Sequence, residues 1–487
     1  MLSILVCHSY FLRLDKKQLE RAKPYPPLAT LQVAAMLRDA GHRVSFFDSM
    51  LADGVDEYVR VLEVLEPQCV LFYEDTFNFL SKMCLGTMRQ AACRMVAAAR
   101  SAGARVIVAG PDVTDSPTPY LHAGADVALI GEGLSALLDI LSRLDGHVHA
   151  PTASLIDGVS GVSSLIDGKV VTASGSRALP ASQAAPFAAW DLVDMDRYRD
   201  VWMQAHGYFS LNMAASRGCS FRCAWCAKPT WGNQYLQRDA AEVAAELEFL
   251  KRSFNPNHIW FADDIFGFRV DWVMQFAAAV RAADAKVPFT IQTRADLVSE
   301  RMAAALSDAG CHEAWIGAES GSQKILDAMR KGTTVAEIIT ARNRLKKSGI
   351  RVGFFIQLGY LDEQLDDIVA TYELLHVARP DEIGVSVSYP LPGTRFHDIV
   401  KAQLGAKTHW RESNDLEMMF RGTYTSDFYR AVRNLLHDQI SVQAAGPNGS
   451  QGATGDAQFQ LERRWQALLI DEERYRSAGR AAAVANR

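Results

Sequence analysis

Eight cysteines occur in the chain, and three stand together as Cys219-Ser-Phe-Arg-Cys223-Ala-Trp-Cys226. Three thiolates on one short loop suit a soft metal. A structural zinc site is closed by four ligands, and no cysteine or histidine close in sequence completes such a set, unless His206 or Cys311 folds back. A [4Fe-4S] cluster held by three cysteines keeps one iron open to a further ligand. The spacing therefore points to an iron–sulfur cluster on Cys219, Cys223 and Cys226, with zinc as the alternative.

The elements that must position this loop follow from hydrophobic patterning. Residues 1–150 alternate strand and helix signals: strands at Leu2–Val6, Arg43–Phe47, Gln68–Tyr73, Arg105–Ala109 and Ala125–Ile130, with helices at Leu28–Ala40 and Met83–Ala102. Such alternation predicts an α/β, doubly wound, Rossmann-like parallel sheet. Ligands of such sheets sit beyond the carboxyl ends of the strands. The loops at Cys7–Arg13, Glu74–Phe79, Gly110–Asp112 and Gly131–Gly133 converge there. Gly131-Glu-Gly133-Leu-Ser-Ala136 has the form of a dinucleotide fingerprint, but that fingerprint belongs on the first strand–helix turn, not the fifth.

Residues 151–204 read as a linker with a small hairpin, because Asp167-Gly168 sits between apolar runs. Phe187 and Trp190 are expected to pack that linker onto the next domain. From 205 to 400 the alternation resumes: strands at Phe209–Ala215, His258–Phe261, Phe289–Gln292, Glu313–Gly317, Arg351–Leu358 and Glu382–Ser388, with five helices between them. Residues 401–487 read as a mainly helical region with a flexible stretch at 444–458. Trp410 and Phe420 there read as core.

The C-x-x-x-C-x-aromatic-C motif, with Trp225 as its aromatic residue, resembles that of the radical S-adenosylmethionine (SAM) enzymes. The resemblance implies a partial β6/α6 TIM-type barrel with its active site at the carboxyl ends of the strands. It implies SAM-binding roles for residues at those ends: Asp263 and Asp264, Arg294, Glu319 and Ser320, and Gln357. Pro390–Thr394 resembles a closing motif of the same family. Asp263 and Arg294 also suit a structural ion pair, and Ser320 a helix cap.

A doubly wound domain ahead of such a barrel resembles the cobalamin-dependent radical SAM enzymes. The branch implied is that of the anaerobic magnesium-protoporphyrin ester cyclase and the B12-dependent methylases. The loops around Pro27, Gly110-Pro111 and Gly131-Glu132-Gly133 resemble the cobalamin-binding loops of that N-terminal domain. Asp145-Gly-His147-Val-His-Ala150 nearly matches the motif that supplies a histidine to cobalt. It lacks the final glycine and lies at the end of the domain, so it reads as a surface turn.

The resemblance implies a [4Fe-4S] cluster, SAM and cobalamin as cofactors, and a flavodoxin or ferredoxin as electron donor. The reaction implied is methylation of an unactivated carbon of a small molecule through a 5′-deoxyadenosyl radical. A radical cyclase or rearrangement enzyme is the nearest variant. A methylthiotransferase would need a second cluster on Cys7, Cys69 and Cys84, and a cobalamin sensor would not need the intact cysteine triplet.

The chain of 487 residues has 49 % apolar and 22 % charged residues and a net charge of −5. That balance offers no general basic surface for nucleic acid. Apolar runs such as Val127–Ile130 fall far short of the ~18 residues that span a membrane. Met1–Val6 reads as a first strand, not a signal peptide. With neither a span nor a signal peptide read, the expected compartment is the cytoplasm, and eight cysteines are too sparse for a disulfide scaffold.

Overall fold

The computed structural model describes residues 1–78, 86–175, 187–227, 231, 233–404, 416–445 and 451–477. It divides into two compact units. The first contains Met1–Cys219 and, after Ala227, the chain to Asp264; the second contains Ser220–Ala227 and most of the chain from Ile265 onward.

The first unit is built on a sheet of seven strands: β1 (Ser3–Cys7), β2 (Arg43–Phe47), β3 (Cys69–Tyr73), β4 (Arg105–Ala109), β5 (Val127–Leu129), β6 (Val162–Ile166) and β7 (Lys169–Ala173). Their spatial order is β2-β1-β3-β4-β5-β6-β7, with β1 to β5 parallel. A parallel sheet covered on both faces needs continuous apolar strands. Alternate residues serve the two faces: Ile4, Val6, Leu71 and Tyr73 pack with Leu37 and Leu137, whereas Leu5, Cys7, Val70 and Phe72 pack with Leu62 and Met95. The hairpin read as part of a linker instead extends this sheet, because β6 pairs antiparallel with β5. Its turn is where Asp167-Gly168 puts it, with φ of +49° and +74°.

Two short pairs complete the first unit. β8 (Ser210–Met213) lies parallel to β11 (His258–Phe261), and β9 (Ser216–Gly218) lies antiparallel to β10 (Tyr235–Gln237). The β9–β10 pair is too short to leave a pattern in the sequence. The segment at Pro24–Pro27 is fastened inside this unit: Trp202 Nε1 donates to the Pro24 carbonyl at 2.7 Å, and Asn212 Nδ2 to that of Pro26 at 3.0 Å.

The second unit contains four parallel strands, β12 (Phe289–Thr293), β13 (Cys311–Glu319), β14 (Arg351–Leu358) and β15 (Glu382–Val387), paired in that order. Helices Glu300–Ala309, Val335–Lys347 and Leu365–Ala378 connect them. Each begins on a side chain or carboxylate suited to its free N–H groups; Thr334 and Glu337, for example, form a capping box. Helices Ser426–Ala445 and Gln451–Ile470 follow, so 451–458 of the stretch read as flexible is helical, while 446–450 lies outside the described residues. Phe420 is buried; Trp410 lies outside the described residues. Among the described residues no helix is long and apolar enough to cross a membrane.

Candidate functional site

The cysteine loop starts where β9 ends. Cys219, Cys223 and Cys226 are each half-buried. A four-iron cluster binds each thiolate to a different iron, and the three half-buried cysteines of this loop offer such a set.

In the second unit the loop is pinned by its backbone. Ala224 N–H donates to the Met329 carbonyl at 2.8 Å, and Phe396 N–H to the Ala224 carbonyl at 2.9 Å. The indole N–H of Trp225 is buried and has no hydrogen-bond partner, a donor left over for a ligand. Arg294, just past β12, sits with its guanidinium 3.7 Å from the centroid of the Phe221 ring and Nη1 3.6 Å from Cys223 Sγ. It is also held by the Asp296 carboxylate at 2.9 and 3.0 Å and by the Lys331 carbonyl at 2.7 Å.

Glu319 ends β13 with a φ of +62°, a conformation that a non-glycine residue holds at a cost. Its carboxylate accepts from Lys331 Nζ at 2.7 Å, and both side chains are buried. Burial works to lower the Lys331 pKa, but Glu319 and Cys223 outweigh it and the net shift is upward. Gly317 leaves the space this pair fills: a Cβ there would meet Lys331 Nζ at 2.5 Å and Glu319 Oε1 at 2.6 Å. Arg294, Glu319, Lys331 and Cys223 thus form one network, which places two cations beside the Cys223 sulfur. Lys331 carries no motif and was missed in the sequence; it enters only because the turn after the helix Gln323–Ala328 returns it to the end of β13.

Ser320 and Gln357 stand outside that network. Ser320 Oγ accepts from the Ser322 N–H at 3.1 Å and lies 3.2 Å from Thr371 Oγ1, a turn-forming role. Gln357 is the next-to-last residue of β14, and its buried Oε1 has no hydrogen-bond partner. Farther along that loop, burial pushes the Glu363 carboxyl up to about 8. A carboxyl that stays protonated in the fold but ionises at about 4.5 when unfolded loses stability as pH rises between those values. Glu363→Gln is therefore expected to melt higher than the parent protein at pH 8 and to match it at pH 4.5; equal melting shifts at both pH values would contradict this.

In the first unit, the Asp263 carboxylate accepts from the Ala215 N–H at 3.1 Å and from the Ser216 hydroxyl. Burial raises its pKa to about 7 against those hydrogen bonds. Asp263 therefore fastens β9 to the end of β11, while Asp264 is exposed.

The loops at the carboxyl ends of β3, β4 and β5 are tightly built. Gly110 (φ +146°) is required by packing, since a Cβ would meet Glu74 Cβ at 2.6 Å. Gly133 (φ +63°) is required likewise by Leu129 Cβ at 2.6 Å. Pro111 opens the helix Pro111–Asp115 at a position that needs no N–H. The Gly131 N–H donates to Thr114 Oγ1 at 3.1 Å. Pro27 is buried and its carbonyl accepts from the Leu31 N–H, opening the helix Leu28–Asp39. Bulky substitutions at Gly110 or Gly133 would disturb these neighbours before reaching any ligand. The Glu132 carboxylate accepts from Arg217 Nη1 at 2.9 and 3.0 Å and from the Tyr73 hydroxyl at 2.5 Å.

Among the described residues, His8 follows β1 at that edge. His8 is buried, with Nε2 on Asp48 at 3.2 Å and Nδ1 facing the Tyr10 N–H at 3.4 Å. His147 and His149 are exposed in a turn. Arg105, at the start of β4, donates to the Val148 and Ala150 carbonyls, so that turn lies at the amino edge of the sheet. The carboxyl edge of such a parallel sheet is where its ligands sit. Cys7 and Cys69 cannot share a second cluster: they sit at opposite ends of neighbouring strands and pack into different cores, and Cys84 lies outside the described residues.

Comparison with known proteins agrees with this geometry. The profile of the radical SAM superfamily matches residues 213–375, and that of the B12 binding domain matches residues 19–141. An uncharacterized methyltransferase of Pyrococcus horikoshii is 24 % identical over 405 residues, 81 % of this chain and 83 % of that protein. The anaerobic magnesium-protoporphyrin IX monomethyl ester cyclase of Rubrivivax gelatinosus is 25 % identical over 58 % of this chain and 49 % of that protein. The structure of the cobalamin-dependent SAM radical enzyme OxsB superposes with a TM-score of 0.70 at 15 % identity, covering 96 % of this chain and 72 % of that one; at that identity the likeness is one of fold.

Proposed function

Because the chain joins a B12-binding domain to a radical SAM domain and belongs to the cobalamin-dependent radical SAM enzymes, we propose that it methylates an unactivated carbon of a small-molecule substrate. The observation that carries this reading is the cysteine loop with the buried Arg294–Lys331–Glu319 network at Cys223. Cys219, Cys223 and Cys226 would hold the [4Fe-4S] cluster. When bound, the cluster and SAM would supply radical chemistry at the substrate, and cobalamin would supply the methyl group.

The residues of this chain do the positioning. Arg294 and Glu319 offer opposite charges suited to the carboxylate and amino groups of SAM. The unpartnered Trp225 N–H and Gln357 Oε1 offer one donor and one acceptor. Buried charges have lost their water and bind an ionic ligand strongly only when it replaces those partners. Gly131, Glu132, Gly133, Gly110, Pro111 and Pro27 form the loops proposed to meet cobalamin. A low-potential flavodoxin or ferredoxin is proposed as the electron donor, and the cytoplasm as the compartment.

Anaerobic reconstitution with iron, sulfide and cobalamin, followed by SAM-product analysis, tests the reading. Methylation requires both 5′-deoxyadenosine and S-adenosylhomocysteine from SAM. 5′-Deoxyadenosine without S-adenosylhomocysteine, given substrate, would favour a cyclase or rearrangement. Bound cobalamin is expected to show a base-off absorption spectrum that His147→Ala leaves unchanged. A histidine-ligated spectrum lost in that variant would contradict the surface-turn assignment.

A further inference from the structure

Arg217 is nearly fully buried, at 3 % exposure, two residues before Cys219. Its guanidinium meets four residues of the same unit. Nη1 binds both oxygens of Glu132, and Nη2 donates to Gln32 Oε1. The Phe77 ring lies 4.7 Å away and the Trp231 ring 5.7 Å away. Glu132 is in turn held by Tyr73, whose hydroxyl donates to its carboxylate at 2.5 Å and reaches its carbonyl at 3.0 Å. Gly218, the next residue, has no room for a side chain: a Cβ would meet Trp231 Cδ1 at 1.8 Å. The start of the cysteine loop and the Gly131–Gly133 loop after β5 are thus clamped to one buried ion pair.

We propose that the Arg217–Glu132 pair is a positioning link through which the cobalamin loop and the cysteine loop are energetically coupled. The inference rests on the proposed roles of those two loops. Arg217 and Glu132 need touch neither reacting atoms nor metal. Their role is to make the two loops order together: a ligand that stills the Gly131–Gly133 loop also stills the chain leading to Cys219. Such coupling is reciprocal. Cobalamin binding then favours the assembled cluster, and the cluster favours bound cobalamin, by the same binding free energy; slower iron loss reports the direction of that coupling. A pair that only glued the fold together would lower stability when broken without making one cofactor sense the other.

The test uses the full chain reconstituted with iron and sulfide. Iron release to a chelator is followed with and without added cobalamin, and cobalamin affinity is measured by absorbance with and without the cluster. In the parent protein the cluster is expected to tighten cobalamin binding by about tenfold, within the usual range of coupling between sites, and cobalamin to slow iron release. Glu132→Gln, which keeps the shape, and Tyr73→Phe, which removes the hydroxyl that holds Glu132, should each bring that ratio toward one; Arg217→Lys should restore part of what Arg217→Met loses. Melting temperatures recorded alongside separate loss of coupling from loss of fold. An unchanged ratio in folded Glu132→Gln and Tyr73→Phe overturns the proposal. A parent protein that binds both cofactors with a ratio of one also overturns it and leaves the function standing. A parent protein that binds no iron or no cobalamin overturns the functional reading itself.

Discussion

Alanine at Cys219, Cys223 or Cys226, one at a time, is expected to take iron after reconstitution from about four atoms per chain to near zero. All SAM cleavage is expected to go with it. The loop offers three thiolates, and losing one leaves two irons without protein ligands. The Arg294 and Lys331 charges at Cys223 cannot substitute, because cations do not ligate iron. Iron and acid-labile sulfide assays with SAM-product analysis check this. One zinc per chain with no iron uptake would overturn the cluster assignment. About eight irons, reduced by changing Cys7, Cys69 or Cys84, would restore the second cluster of a methylthiotransferase, which the separation of Cys7 from Cys69 across strand and sheet disfavours.

The second large effect is expected at Lys331. Lys331→Met leaves the Glu319 carboxylate buried at 5 % side-chain exposure with its cation removed. Breaking one side of a buried ion pair costs about 3–5 kcal/mol, so the melting temperature should fall by many degrees. Pairing the change with Glu319→Gln removes the stranded charge and should recover most of that loss. The double variant should still assemble the cluster, since neither residue is a ligand, yet bind SAM weakly, since Glu319 is proposed on its amino group. A single Lys331→Met variant as stable as the parent would show that the pair is not closed in solution. A double variant with full SAM affinity would remove Glu319 from the SAM site.

Much of this molecule is legible from local sequence. Strand runs such as Arg105–Ala109 and Arg351–Leu358 are continuous and apolar because both faces of a parallel sheet are buried, and the structure places strands at those bounds. Asp167-Gly168 specifies its turn through backbone conformations few other residues accept. The cysteine triplet declares its chemistry because one loop supplies all three ligands, so no folding is needed to see them together. What only the tertiary structure decided is which charges meet. Asp263 and Arg294 both end strands and suit an ion pair, yet Asp263 holds Ser216 and Arg294 holds Asp296 and the Lys331 carbonyl. Glu132 stands in a glycine loop that suggests a ligand, yet its partner is Arg217, 85 residues away. Lys331 has no motif and becomes part of the site through one turn of backbone. Hydrophobic periodicity reports which face of an element is buried, and so determines the elements. The pairing of buried charges depends on ångström-scale distances between elements far apart in the chain, and a charge's own neighbours in sequence carry no record of it.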